Sequence, residues 1–384
     1  MKVSTPVRFL LSVAALVMVT SAAATIVRAQ DARSALANFP ESQAVLYINA
    51  KRLINEAAPS VVPPEMLNKA LNDARQFIDL NGLDYVIAGA RLRGEVSMKN
   101  PPEVLLIVRG SFSADGLLSA ARMAGQGMYV QETHGGKTVN VFTLNKPAPA
   151  PADGASGGEQ PSKKFPVDQI AAVALDANTL AVGIPAYLRD AIDASAGGQQ
   201  GARLKPELVD LAVRDANTLV SLVTDVPPAM SQHLRKLGMP PNAEAERLID
   251  ALRQVQLSVN MQPGTFGVQS IMRMENSEAA STLSGLVNMG ANLAKGEIAK
   301  NVQKKTGSEK DDMTALLRVF ETLTNTTRDS EVVLGLSFQQ AGLAEVIKRQ
   351  MMPKKKQDTA AAPAPGANKG AAVVKRRRPR ARRN

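Results

Sequence analysis

The stretch Gln169-Ile-Ala-Ala-Val-Ala-Leu175, Asp176-Ala-Asn-Thr179, Leu180-Ala-Val-Gly-Ile184, followed by Pro185 to Ala194, holds the building plan of this chain. Two short apolar runs flank a turn of Asp and Asn, whose side chains hydrogen-bond nearby backbone, so the spacing predicts a β-hairpin. A helix follows directly. Pro185 suits a first helical turn because its missing N–H has no partner there, and Ala186, Leu188, Ala191, Ile192 and Ser195 mark one face at helical spacing. Strand, turn, strand, helix is the unit that recurs on both sides.

Toward the N-terminus, Ala44-Val-Leu-Tyr-Ile48 is too short for a helix and reads as a buried strand. Pro59, Pro63 and Pro64 break the chain; Pro64 opens a helix with Met66, Leu67, Ala70, Leu71, Ala74, Phe77 and Ile78 on one side, closed by Asn81-Gly82. Strands are expected over Leu83 to Leu92 and Glu103 to Arg109, then a helix over Ala114 to Ala124 capped by Ser113. Tyr129 to Leu144 reads as a second hairpin, turning at His134-Gly-Gly-Lys137. Residues 146–164 are crowded with Pro, Ala, Gly and Ser and lack the apolar groups to fold, so they are read as a disordered surface loop.

Toward the C-terminus the cadence returns. Asp215-Ala-Asn-Thr-Leu219 echoes Asp176-Ala-Asn-Thr-Leu180, and a strand, a helix (Ala243 to Arg253), two strands about Pro263-Gly264 and a helix from Ser277 parallel Ala44 to Ala124. Leu257, Val259 and Met261 alternate with Ser258, Asn260 and Gln262, the pattern of a sheet with its apolar face covered and its polar face wet. Two helices, with Leu283, Leu286, Val287 and Leu293 on one and Met313, Leu316 and Phe320 on the next, are expected to supply the cover after the charged turn Ser308 to Asp312. A last strand, Val332 to Phe338, and helix, Ala341 to Gln350, close the second half. The expected fold is α+β, in two similar halves (30–201 and 202–352), each a mostly antiparallel sheet with helices packed on one face.

The ends read differently. Lys2 and Arg8, the apolar run Phe9 to Val19 and the small residues before Gln30 make residues 1–29 a signal peptide, with an uncleaved inner-membrane anchor as the alternative. The expected location is the periplasm or the exterior. The chain has no cysteine, so disulfides and thiolate metal sites are excluded. Its net charge of +11 is concentrated in residues 353–384, a disordered tail with eleven Lys or Arg against Asp358, whereas residues 30–352 sum to −2.

Motifs that carry chemistry are scarce. His134 and His233 stand alone, and no zinc or calcium pattern appears. Gly154-Ala-Ser-Gly-Gly158 matches a nucleophile elbow in letters but lacks the strand and helix around it. Gly125-Gln-Gly127 lacks the rest of a dinucleotide fingerprint, and Asp311-Asp312 reads as helix N-terminal anions. Aromatics at 3% with no Trp argue against stacking on sugars or bases, and the fifteen Met read as core filler. What remains is the tail, where Lys375, Arg376, Arg377, Arg378, Arg380, Arg382 and Arg383 are the candidate contacts to an anionic polymer or membrane surface.

The run from Asp176 to Ala194, with Phe39-Pro-Glu-Ser-Gln-Ala-Val-Leu-Tyr-Ile48 before it, resembles a pattern in uncharacterised secreted bacterial α+β proteins over residues 39–200. That resemblance implies no activity and no site residues. The expected function is a non-enzymatic, cofactor-free envelope protein, a binding or structural module with a basic tail, with an envelope protein as a candidate partner. A hydrolase built from scattered carboxylates and a periplasmic chaperone-like protein are the alternatives.

Overall fold

The turn that organises the sequence closes as its chemistry dictates: Asp176 Oδ1 accepts the Asn178 N–H at 2.8 Å, and Asp176 Oδ2 accepts the Thr179 hydroxyl at 2.9 Å. A computed structural model describes residues 32–75, 79–92, 101–125, 128–144, 167–196, 202–227, 231–232 and 243–351. The expected signal peptide 1–29, the loop 146–164, His233 and the tail 353–384 lie outside the described residues.

The strands are β1 (Ala44–Ile48), β2 (Leu83–Arg91), β3 (Glu103–Gly110), β4 (Tyr129–His134), β5 (Lys137–Thr143), β6 (Gln169–Asp176), β7 (Thr179–Gly183), β8 (Thr218–Asp225), β9 (Leu252–Gln262), β10 (Thr265–Met274), β11 (Thr324–Arg328) and β12 (Glu331–Gln339). The helices are α1 (residues 32–37), α2 (50–61, π-helical over Leu53–Ala57), α3 (Pro64–Arg75), α4 (Ala114–Ala124), α5 (Pro185–Ser195), α6 (Pro206–Ala212), α7 (Ala243–Ala251), α8 (Ser277–Lys304), α9 (Ser308–Glu321) and α10 (Gln340–Met351). Side chains place several of these starts. Ser113 Oγ accepts the Gly116 N–H at the head of α4, and Asn276 Oδ1 accepts the Ala279 N–H at the head of α8.

The twelve described strands join one antiparallel sheet in the order β11-β12-β10-β9-β8-β1-β2-β3-β7-β6-β5-β4. The order has an internal symmetry about the β1·β8 pair. Outward from that seam come β2 and β9, then β3 and β10, then a hairpin entered by its second strand, β7–β6 on one side and β12–β11 on the other. Each hairpin hands over to a helix, α5 or α10, so the chain is one α+β sheet made of two similar halves; β4–β5 is an extra hairpin of the first. The five-residue echo is not part of this symmetry. Asp215 Oδ1 accepts the Asn217 N–H at 2.8 Å, the same turn chemistry as Asp176, but it precedes β8 rather than sitting inside a hairpin.

Sidedness differs from the sequence-based expectation. Registers place Val45, Tyr47, Ile87, Leu105, Ala181 and Val173 on one face, where α1, α5 and α6 bury them with Leu36, Phe39, Tyr187, Leu188, Ile192 and Leu208. Gly89 lies under this cover, because a Cβ there would overlap the Phe39 ring. Continued into β9, this packed face carries Gln256, Ser258 and Asn260, which are buried, whereas Leu257 points the other way and is 46% exposed. The wet face was expected to be the polar one; over Gln256 to Asn260 it is the apolar one, whereas Met261 is buried and Gln262 exposed as expected. One reason is α6, a helix the sequence reading omitted: Gln256 Nε2 donates to the Leu211 carbonyl at 2.5 Å and to Ser221 Oγ, and within the sheet Thr218 Oγ1 donates to Asn260 Oδ1 at 3.1 Å, whereas Ser258 Oγ and Gln256 Oε1 are buried with no hydrogen-bond partner among the described residues. Consequently Leu257→Ser should shift stability by less than about 1 kcal/mol, whereas Ser258→Leu should lower it by about 1–3 kcal/mol through overpacking. Urea unfolding of the two variants gives the comparison, and the opposite ranking would reinstate the wet polar face.

Three smaller corrections concern segments 50–61, 206–212 and 308–312. The first is helical despite Pro59, which sits in the first turn of its last segment where a proline is tolerated. The second, opened by Pro206, is α6. The third is the first turn of α9 rather than a turn before it, with Glu309 and Asp311 at the positive end of the helix.

Candidate binding face

Opposite the packed face, positions 46, 86, 88, 90, 104, 106, 108, 180, 182, 220, 222, 257 and 259 are all Ala, Val or Leu. They share one side of β9, β8, β1, β2, β3 and β7 by register and are partly exposed, Val104 the most at 49% and Leu222 at 41%. Among the described residues, helices cover only the margins of this side. On one flank α4 packs against β6, with Gly125 beside the Phe142 ring; on the other, Ala280 of α8 seals Met274 and Val332. At one end Leu53, Ala57 and Val61 of α2 meet Met261, Phe266 and Leu343 of α10. Six strands spaced about 4.8 Å apart leave a strip on the order of 25–30 Å wide, lined by aliphatic side chains. An aliphatic surface of that extent is unusual on a lone soluble protein, where contiguous apolar patches are small.

The strongest polar constellation lies on the packed face. Arg91 of β2 donates from Nε to Glu103 of β3 and from Nη1 to Asp190 of α5 at 2.5 Å, and its guanidinium stacks 4.2 Å from the centre of the buried Tyr187 ring. The Tyr187 hydroxyl pairs with Ser42 Oγ and donates to the Glu41 carbonyl at 3.3 Å; burial pushes its pKa up to about 12, so it stays protonated. These contacts clamp α5 to the sheet. A cleft of about 560 Å³ opens beside them, lined among others by Glu103, Thr143, Asp168 and Gln169. It brings two carboxylates to one surface, which no sequence spacing disclosed, but Glu103 already accepts from Arg91.

The other sequence candidates fall as follows. His134 ends β4, and its Nε2 lies 2.9 Å from Asp193 Oδ1 of α5, a carboxylate that fold and not sequence brings to it. Gly125 caps α4. Among the described residues no group of three or more His, Asp or Glu is arranged to hold a metal ion, and no helix is long and apolar enough to cross a membrane. Lys375, Arg376, Arg377, Arg378, Arg380, Arg382, Arg383 and the Gly154–Gly158 motif lie outside the described residues. The aliphatic face was the feature the sequence reading missed. Its signal was present in Val104-Leu-Leu-Ile-Val108, where a strand is apolar on both sides with no helix long enough nearby to cover both.

No family model matches the chain, and no curated protein matches it. Among solved structures it is similar to TP0453: crystal form III gives a TM-score of 0.38 at 9% identity, covering 82% of this chain and 97% of that one, and crystal form I gives 0.37 at 10%, covering 82% and 96%.

Proposed function

We propose that this chain is an exported, non-enzymatic binding module of the cell envelope that takes the aliphatic chains of an anionic amphiphile on its open sheet face. The open face itself carries the reading. At the thirteen positions named above it presents Ala, Val and Leu, with Ile48 at one end and Thr224 at the other, an aliphatic lining that suits flexible saturated chains and offers no ring faces to sugars or bases. Charge supplies the second half: the tail, Lys375 to Arg383 above all, concentrates cations beside a weakly acidic body and matches an anionic head group or surface.

The test uses the mature chain with phosphatidylglycerol and phosphatidylcholine vesicles and a fluorescent fatty acid. Flotation with phosphatidylglycerol vesicles should be lost on raising salt or on deleting residues 353–384. Fatty-acid uptake should instead be weakened about tenfold or more by Leu222→Glu with Leu257→Glu, exposed positions where a charge is tolerated by the fold. Unchanged flotation without the tail, or unchanged uptake with both glutamates, overturns the corresponding half of the reading. A hydrolase at Glu103 and Asp168 is the competing outcome, revealed by ester cleavage that Glu103→Gln abolishes.

A further inference from the structure

The helix α8 has two apolar sides. One packs on the sheet and α9, through Ala280, Leu283, Val287 and Ala294. The opposite side carries Leu286, Met289 and Leu293, exposed by 36%, 56% and 70%. The same helix holds Gly285, Gly290 and Gly296, at each of which an added Cβ would meet nothing within 4 Å. Glycine inside a helix costs about 0.5–1 kcal/mol relative to alanine, and nothing among the described residues makes use of its small size here.

We propose that this outer side of α8 is a twofold interface in which a second copy of the chain packs its own α8 antiparallel, with the axis passing at Met289. The sequence is self-complementary about that point. Glu278 and Lys300 lie eleven residues on either side of it, and eleven residues is close to three helical turns, so both share the outer face. Antiparallel pairing sets each Glu278 against Lys300 of the other copy, twice. Both side chains are exposed, and neither has an ion-pair partner among the described residues. Four residues from the axis, Leu293 comes opposite Gly285 of the other copy, a knob against a gap that only a missing side chain leaves. Opposed helix dipoles add to the fit. A symmetric contact of this kind closes on itself, so assembly ends at two copies.

The inference stands apart from ligand binding at the sheet and is tested on the mature chain by sedimentation and by cross-linking. The protein should dimerise reversibly. Glu278→Lys and Lys300→Glu should each weaken dimerisation by about tenfold or more, and the two together should restore it. Because the chain has no cysteine, Met289→Cys introduces a single thiol. Two such thiols meet at the axis and should cross-link on mild oxidation, whereas Glu297→Cys should not, its two copies lying about 24 Å apart along the helices. A monomer at every concentration overturns the proposal. So does a dimer that ignores the charge swaps, or one in which Glu297→Cys cross-links as well as Met289→Cys.

Discussion

Replacing Glu56 by alanine is expected to lower the unfolding free energy by about 3–5 kcal/mol, the usual cost of orphaning a buried charge. Arg52 and Glu56 form an ion pair at 3.0 Å inside α2, with Arg52 8% and Glu56 6% exposed. The guanidinium also donates to the Ala216 carbonyl at 3.3 Å and to the Met261 carbonyl at 3.4 Å, so it joins α2 to the loop before β8 and to the end of β9. Without the carboxylate those neutral acceptors remain, and they do not offset a desolvated cation. The double change Arg52→Met with Glu56→Leu removes both charges and keeps the volume; it should return within about 1–2 kcal/mol of the parent. Urea unfolding followed by circular dichroism measures both. A loss below about 1 kcal/mol for Glu56→Ala would show that water reaches the pair.

The second large effect is expected at Tyr187. Tyr187→Ala should cost about 3–5 kcal/mol, because its ring is fully buried against Phe39 and the sheet and supports the Arg91 guanidinium. Tyr187→Phe keeps the ring and removes only the hydroxyl bonded to Ser42 and Glu41, which should cost about 1 kcal/mol. The gap between the two variants separates packing from hydrogen bonding. Equal losses would place the energy in the hydroxyl and contradict the packing account. The same denaturation experiment, read also by near-ultraviolet dichroism of the tyrosines, reports it.

Elements were legible where local chemistry and period agreed. The β6–β7 hairpin with α5, the β4–β5 hairpin and α4 fall where Asp-Asn, Gly-Gly and the Ser113 cap put them. Their lateral arrangement was not legible, because strand order depends on which edges meet and no residue announces that β1 pairs with β8. Helix α6 escaped because seven residues are too few for a period to show. Its omission inverted the sheet: alternation of Leu257 with Ser258 reveals that the two faces differ, but only the helix above them decides which is buried. The polar inlay of Gln256, Asn260 and Thr218 is therefore a property of the tertiary fold. So is the double tie at Glu331, which accepts from Arg214 at 2.7 Å and Arg273 at 2.8 Å; burial raises its pKa, but the two guanidiniums outweigh this and hold it below the ordinary value. For the open aliphatic face, the residues were visible in sequence and their exposure was not.

The seam between the halves has a consequence for biogenesis. A chain synthesised from its N-terminus presents β1 early, while β8, the strand that satisfies the other edge of Ala44–Ile48, arrives only after all of the first half. Until then Ala44–Ile48 is an unpaired apolar border, the kind of surface on which neighbouring nascent chains adhere to one another.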